Sequence, residues 1–133
     1  MIHKRRGYQR GKWNGLGGKL EPGETPEECA RREVYEESGL LATELRLEGF
    51  ITFPLFDTQH DWYVFVFTCT AFEGEPRPSD EGELHWIPDR ELTDLELHEG
   101  DRVFLPWLDG KCMFSAKLIY EKGEFRRHEV VFY

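Results

Sequence analysis

The chain is short of positive charge. Its 17 lysines and arginines stand against 26 aspartates and glutamates, a formal charge of −9 over 133 residues. A nucleic-acid polymer is disfavoured as a partner, because holding a phosphate backbone takes clustered Lys and Arg. The one basic stretch is His3-Lys4-Arg5-Arg6 with Arg10 and Lys12. Cysteine is also scarce. Cys29, Cys69 and Cys112 show no C-x-x-C spacing, which argues against a disulfide framework or a zinc site. They read as buried or half-buried thiols of a reducing cytoplasm. No apolar run reaches the roughly 18 residues of a spanning helix, and the start is not signal-like, so no membrane partner is expected. Without repeats or low-complexity linkers, residues 1–133 read as a single domain, expected to act as a monomer.

What is present suits a packed core. Apolar residues make up 39% of the chain, enough to exclude a disordered one. Met1 to Arg5 reads as the end of a strand followed by a basic turn. A helix is predicted from Thr25 to about Ser38. Thr25 is a good N-cap, Pro26 fits the first turn, Glu28 completes a capping box, and Gly39 is a left-handed stop. Ala30, Val34 and Leu40 should face the core. Strands are expected at 50–53, 61–70 and 84–87. In the second of these both alternating faces are apolar, which predicts cover on both sides. A second helix is expected over 101–108 with Asp101 as its cap. A hairpin of 113–120 and 125–133 should turn at Glu121-Lys122-Gly123-Glu124. This order suggests an α/β fold, an α/β/α sandwich with a mixed sheet.

The chemistry concentrates in one segment. A glycine-rich loop, Trp13-Asn14-Gly15-Leu16-Gly17-Gly18, runs into the helix that carries Glu33, Glu36 and Glu37. At spacings i, i+3 and i+4 these carboxylates share one helix face, where they repel unless a cation neutralises them. Oxygen ligands suit Mg2+, with Mn2+ as a substitute, better than zinc.

The spacing Gly18, five residues, Glu24, seven residues, then Arg32-Glu33-Val34-Tyr35-Glu36-Glu37-Ser38-Gly39-Leu40 matches the Nudix box at every defining position. The chain therefore resembles the Nudix hydrolases, and the resemblance covers nearly all of it. It implies the α/β/α fold, a nucleotide substrate and a divalent metal. By resemblance the Gly17 carbonyl, Glu33, Glu36 and Glu37 hold metal, and Arg32 and Glu24 orient the carboxylates. Glu81, in the loop Ser79-Asp80-Glu81-Gly82, fits a further metal-approaching glutamate of MutT-like members. The reaction implied is attack of water on a phosphorus of a nucleoside triphosphate, releasing a monophosphate and pyrophosphate. Glu33 is the family-consistent base and Glu81 the alternative. Family members normally begin with an additional strand; here either the start lies upstream or that strand is lacking.

The stretch Arg5-Arg6-Gly7-Tyr8-Gln9-Arg10-Gly11-Lys12-Trp13-Asn14-Gly15 is similar to the segment before the box in enzymes that destroy oxidised purine nucleotides. It implies that Asn14 hydrogen-bonds a purine edge. Lys4 and Arg5, by their charge, are candidates to meet phosphates, with an ordinary basic turn as the alternative. Asp101 matches a base-reading Asp. His98 stands where relatives often carry a stacking Trp, and Gly100 replaces a second acid. Tyr8 and Phe53 are candidate pocket walls. The leading reading is hydrolysis of 8-oxo-dGTP or a related oxidised purine nucleotide. Other readings are a Nudix hydrolase of ADP-ribose, a dinucleoside polyphosphate, capped RNA or an unmodified triphosphate. A nucleotide-sensing module without turnover would show an eroded box. Isoprenoid diphosphate isomerase wants a reactive Cys in a suggestive context, which is missing.

Overall fold

Thr25 decides where the first helix begins. In the computed structural model, which describes Met1–Tyr133, its side chain accepts the Glu28 N–H at 3.1 Å, while the Glu28 carboxylate accepts the Thr25 N–H at 2.9 Å. This reciprocal box opens α1, Pro26–Ser38. Gly39 ends it at φ 77°, donating its N–H to the Tyr35 carbonyl. A side chain there would meet both left-handed strain and the stem of Arg77, which packs against Gly39. The buried positions of α1 are Cys29, Glu37 and Ser38, whereas Ala30 and Val34 are only half-buried.

The chain forms two compact units, Met1–Leu45 with Cys69–His98, and Arg46–Thr68 with Glu99–Tyr133. The first contains α1 and a small antiparallel sheet. Here β1 (Ile2–Lys4) lies between β2 (Trp13–Asn14) and β5 (Gly82–Leu84). Ile2 faces Asn14 on one side and Leu84 on the other, and it is fully buried. Ile2, Lys4 and Asn14 thus share one face of this sheet.

Two long strands, β3 (Leu41–Phe53) and β4 (Trp62–Glu73), pass through both units. In the second unit β3 pairs in parallel with β6 (Phe114–Glu121), and β6 pairs antiparallel with β7 (Glu124–Phe132). The core of that unit is Ile51, Val66, Phe114, Ala116 and Leu118, with Trp107 edge-on to Phe114. Glu48 is buried there, held by Arg46 at 2.7 Å and by the Thr68 hydroxyl at 2.5 Å. Partnering of this kind is what a buried carboxylate requires.

The class is mixed α/β with mixed strand pairing, as expected, but several local expectations need correction. The outer face of β4 is not covered, since Tyr63 and Phe65 remain 63% and 41% exposed. The second helix, α2, is Glu99–Phe104 and gives way to a 3-10 turn at Leu105–Trp107. Pro106 explains the break, because it supplies no N–H for a continuing helix. Asp101 therefore lies inside α2 and is not its cap. β5 sits two residues earlier than expected, since its position is set by pairing with β1. Cys112 is exposed, unlike buried Cys29 and half-buried Cys69.

Candidate active site

The carboxylate helix lies in the first unit, and so do most of the residues singled out from the sequence. Arg32 organises one end of it. Its Nε lies 2.5 Å from Glu24 and its Nη1 lies 2.7 Å from Glu33 and 3.2 Å from Glu36. Its Nη2 donates to the Lys19 carbonyl at 3.0 Å. One planar guanidinium with several fixed donors can hold three carboxylates at once. The hydrogen bond from Arg32, helped by the Glu21 N–H, holds the Glu24 carboxyl down at about 2, and Arg32 is itself pushed up by Glu24 and Glu33.

Glu33 reaches over the glycine loop. A Cβ placed on Gly18 would lie 2.4 Å from the Glu33 carboxylate, so only glycine leaves the carboxylate this place. Glu36 is the outermost of the three, with its side chain 55% exposed.

Glu37 is the buried one. Its carboxylate accepts the Gly17 N–H at 2.7 Å and the Lys4 ammonium at 3.3 Å. Burial pushes its pKa up, opposed by the Gly17 N–H and by Lys4. Lys4 also reaches Glu81 at 3.3 Å, and Arg6 holds Glu81 at 2.8 Å. Those contacts, the Arg6 hydrogen bond first, keep the Glu81 carboxyl low. The sequence brings Glu81 to Glu37 through the β1–β5 pairing, since Lys4 stands opposite Gly82.

These side chains form two ion-paired sets, one around Arg32 and one around Lys4, and no three of them converge on a ready-made metal cluster. The donors nevertheless fit a hard divalent cation. They are all oxygens, and the place between Glu37 and Glu81 already attracts a positive charge, the Lys4 ammonium.

A second group gathers around Asn14 of β2 and the turn before it. Asn14 Oδ1 accepts from Gln9 Nε2 at 3.0 Å, while Asn14 Nδ2 is buried without a partner. His98 Nε2 is also buried and unpartnered. The Tyr8 ring lies 5.7 Å from the His98 ring, tilted by 38°. The Trp13 N–H donates to the Glu96 carbonyl at 2.8 Å, which ties β2 to the segment before His98. Burial, with a smaller effect from the Lys12 charge, holds His98 below its ordinary value of 6.5.

Phe53 and Asp101 belong to the second unit. Phe53 packs among Phe56 and Tyr120, at 5.3 and 6.3 Å between ring centres. Beside Asp101, the Gly100 N–H donates to the Tyr120 hydroxyl at 2.7 Å. Sequence reasoning missed Gln9 and Arg6 as partners of Asn14 and Glu81. Both lie in a turn whose side-chain directions leave no periodic trace.

Comparison with known proteins gives the same picture. The family profile described as NUDIX domain matches residues 1–108. The oxidized purine nucleoside triphosphate hydrolase of Danio rerio is 38% identical over 128 residues, covering 96% of this chain and 79% of the relative. The Mus musculus protein of the same name is 35% identical, covering 89% and 76%. Among solved structures, a MutT protein from Bacillus halodurans superposes with a TM-score of 0.86 at 28% identity, covering 97% of this chain and 86% of that one. With its box intact from Gly18 to Leu40, the chain belongs to the Nudix hydrolases, a family that generally works with divalent metal ions.

Proposed function

We propose that this chain hydrolyses purine nucleoside triphosphates, oxidised ones such as 8-oxo-dGTP foremost, to the monophosphate and pyrophosphate, and so cleanses the nucleotide pool. The observation that carries the reading is the pair of buried, unpartnered polar atoms, Asn14 Nδ2 and His98 Nε2, in the same unit as the carboxylate helix. Buried polar groups are normally satisfied, so orphans in a hydrolase suit a polar ligand edge. The names of the zebrafish and mouse relatives support the same substrate class.

In this reading the Gly17 carbonyl, Glu33, Glu36, Glu37 and Glu81 would hold Mg2+, or Mn2+ in its place. Held there, such an ion would supply neutralising charge for phosphate oxygens and a lowered pKa for water. Arg32 and Glu24 keep the carboxylates aimed. Glu33 takes the proton of the attacking water, with Glu81 as the alternative base. Lys4 and Arg5 meet the phosphates as point charges. Tyr8, Asn14 and His98 meet the base, whereas Phe53 and Asp101, which belong to the second unit, rest on the resemblance alone. The chain is proposed to work as one Nudix domain, a cytoplasmic monomer acting on free nucleotides and not on a nucleic-acid polymer or a membrane. No helix is long and apolar enough to cross a membrane.

The test is kcat/KM for 8-oxo-dGTP against dGTP with Mg2+, products identified. A preference for the oxidised nucleotide with pyrophosphate release is expected; equal values would end the sanitation reading. Glu37→Gln keeps an acceptor for Gly17 but removes the charge, and should lower kcat by about 100-fold or more while nucleotide still binds. A wild-type protein that binds nucleotide without turnover would instead be a sensor.

A further inference from the structure

We propose that Lys4 is a two-position switch. Without metal its ammonium holds the place of a divalent cation between Glu37 and Glu81; it yields that place to the cation and turns to the phosphates of the nucleotide. The switch rests on the metal-dependent nucleotide reading above and regulates that same site.

The backbone of Lys4 is fixed and its side chain is not. Its N–H donates to the Lys12 carbonyl and its own carbonyl accepts the Gly11 N–H, both at 3.0 Å, while Gly82 of β5 stands opposite on the other edge. The four-carbon stem ends in a mobile point charge. That charge lies 3.3 Å from one oxygen of Glu37 and 3.3 Å from one oxygen of Glu81. The other oxygens are engaged elsewhere. The Gly17 N–H meets Glu37 at 2.7 Å, and Arg6 meets Glu81 at 2.8 Å. Each carboxylate thus turns its remaining oxygen to the same nitrogen. Lys4 and Arg6 balance Glu37 and Glu81 charge for charge, so the set offers an incoming ion no net attraction. Nor can the place be shared. Mg2+ demands oxygens at roughly 2.1 Å, which leaves no room for an ammonium between them. Lys4 must therefore leave before these two carboxylates can hold a cation. Its side chain is 11% exposed, so the two charge-assisted bonds it gives up are not surface bonds that water replaces freely. Departure also reconciles the two duties of Lys4. An ammonium bound to two carboxylates cannot meet a phosphate, and a displaced one can. Lys4 thus weakens metal binding in the nucleotide-free protein and strengthens capture of nucleotide once the metal is in.

The opposite signs of these two effects make the test. Mn2+ binding without nucleotide is measured from the electron paramagnetic resonance of the free ion, in wild type, Lys4→Gln and Arg10→Gln. Lys4→Gln removes the competing charge and keeps a donor for the carboxylates, so Mn2+ should bind about 10-fold tighter. Arg10→Gln removes the same charge from an exposed position of the same hairpin and should shift the Kd by less than about twofold. KM for 8-oxo-dGTP at saturating Mg2+ should move the other way in Lys4→Gln, up about 10-fold. A merely structural role would loosen both ligands together. A Mn2+ Kd unchanged or weaker in Lys4→Gln, or tightened equally by Arg10→Gln, overturns the proposal. Wild type supplies a reading that needs no variant. Acetylation by N-hydroxysuccinimide acetate, located by mass spectrometry, should be slow at Lys4 beside exposed Lys111, and should quicken with Mg2+ at Lys4 alone of the two. Equal rates at Lys4 with and without Mg2+ overturn the switch. Turnover has no part in either metal reading. Mn2+ bound as expected with no nucleotide hydrolysed counts against the hydrolase reading, whereas an unmoved Kd counts against Lys4.

Discussion

Gly18→Ala separates the position of a carboxylate from the stability of the fold. The added methyl would sit 2.4 Å from Glu33 Cδ and Oε1 and 2.7 Å from Oε2. The carboxylate must retreat by about 1 Å to reach ordinary contact, and misplacement on that scale costs about 100-fold in rate. The stability cost is far smaller, because what yields is the end of a flexible side chain. Glu33 gives up a hydrogen bond to Arg32 at 2.7 Å, in a pair whose side chains are 23% and 15% exposed. Such a bond is worth on the order of 1 kcal/mol. Replacing a glycine where alanine fits the backbone returns about 0.4–1 kcal/mol through the unfolded chain. The two nearly cancel, so Tm should move by less than about 4 °C. The assay pairs steady-state kcat at saturating Mg2+ with thermal unfolding on the same preparation. A kcat about 100-fold down with Tm held is the expected result. Full activity would refute the assignment of Glu33 to the reaction. A large fall in Tm would mean that the backbone, not the carboxylate, gives way. Adding Glu33→Asp, which draws the carboxylate back by one methylene, should cost less in the Gly18→Ala background than alone.

Two further predictions concern the rest of the first unit. Thr25→Ala removes the acceptor for the Glu28 N–H and should cost about 1 kcal/mol by urea unfolding; no change would mean that Pro26 and Glu28 suffice to start α1. Burial holds His98 below 6.5, so under that pH the unfolded chain binds a proton that the folded chain refuses. The His98 contribution is therefore complete above about pH 6.5 and is lost as the medium turns more acidic. Gln at position 98 should flatten the Tm profile between about pH 7 and 5, and an unaltered slope would show that other groups carry it.

The parts of this molecule written locally were legible. The helix with Thr25, Glu28 and Gly39 is specified by neighbours three or four residues apart, and so is the shared face of Glu33, Glu36 and Glu37. What depended on distant pairing was not. β5 was misplaced by two residues because Ile2 and His3, some eighty positions away, decide its register. The exposed face of β4 misled because apolar character permits burial without supplying a partner. Asp101 looked like a cap, but α2 begins two residues earlier, at Glu99, and Pro106 ends it early, at Phe104. Lys4 was read as a phosphate contact, and its grip on Glu37 and Glu81 could not be read along the chain, since 33 and 77 residues separate the partners.

The hairpin of β1 and β2 has a consequence for how this protein can be altered. Lys4 and Asn14 emerge from the same side of a ladder only two pairs long. A shift of a single residue in that pairing would turn Asn14 to the opposite surface, while Lys4 stays where the β5 ladder holds it. Inserting or deleting residues between positions 5 and 12 thus risks taking Asn14 away from the face that Lys4 keeps. Point replacements in the turn, which preserve the alignment of the strands, leave both side chains on it.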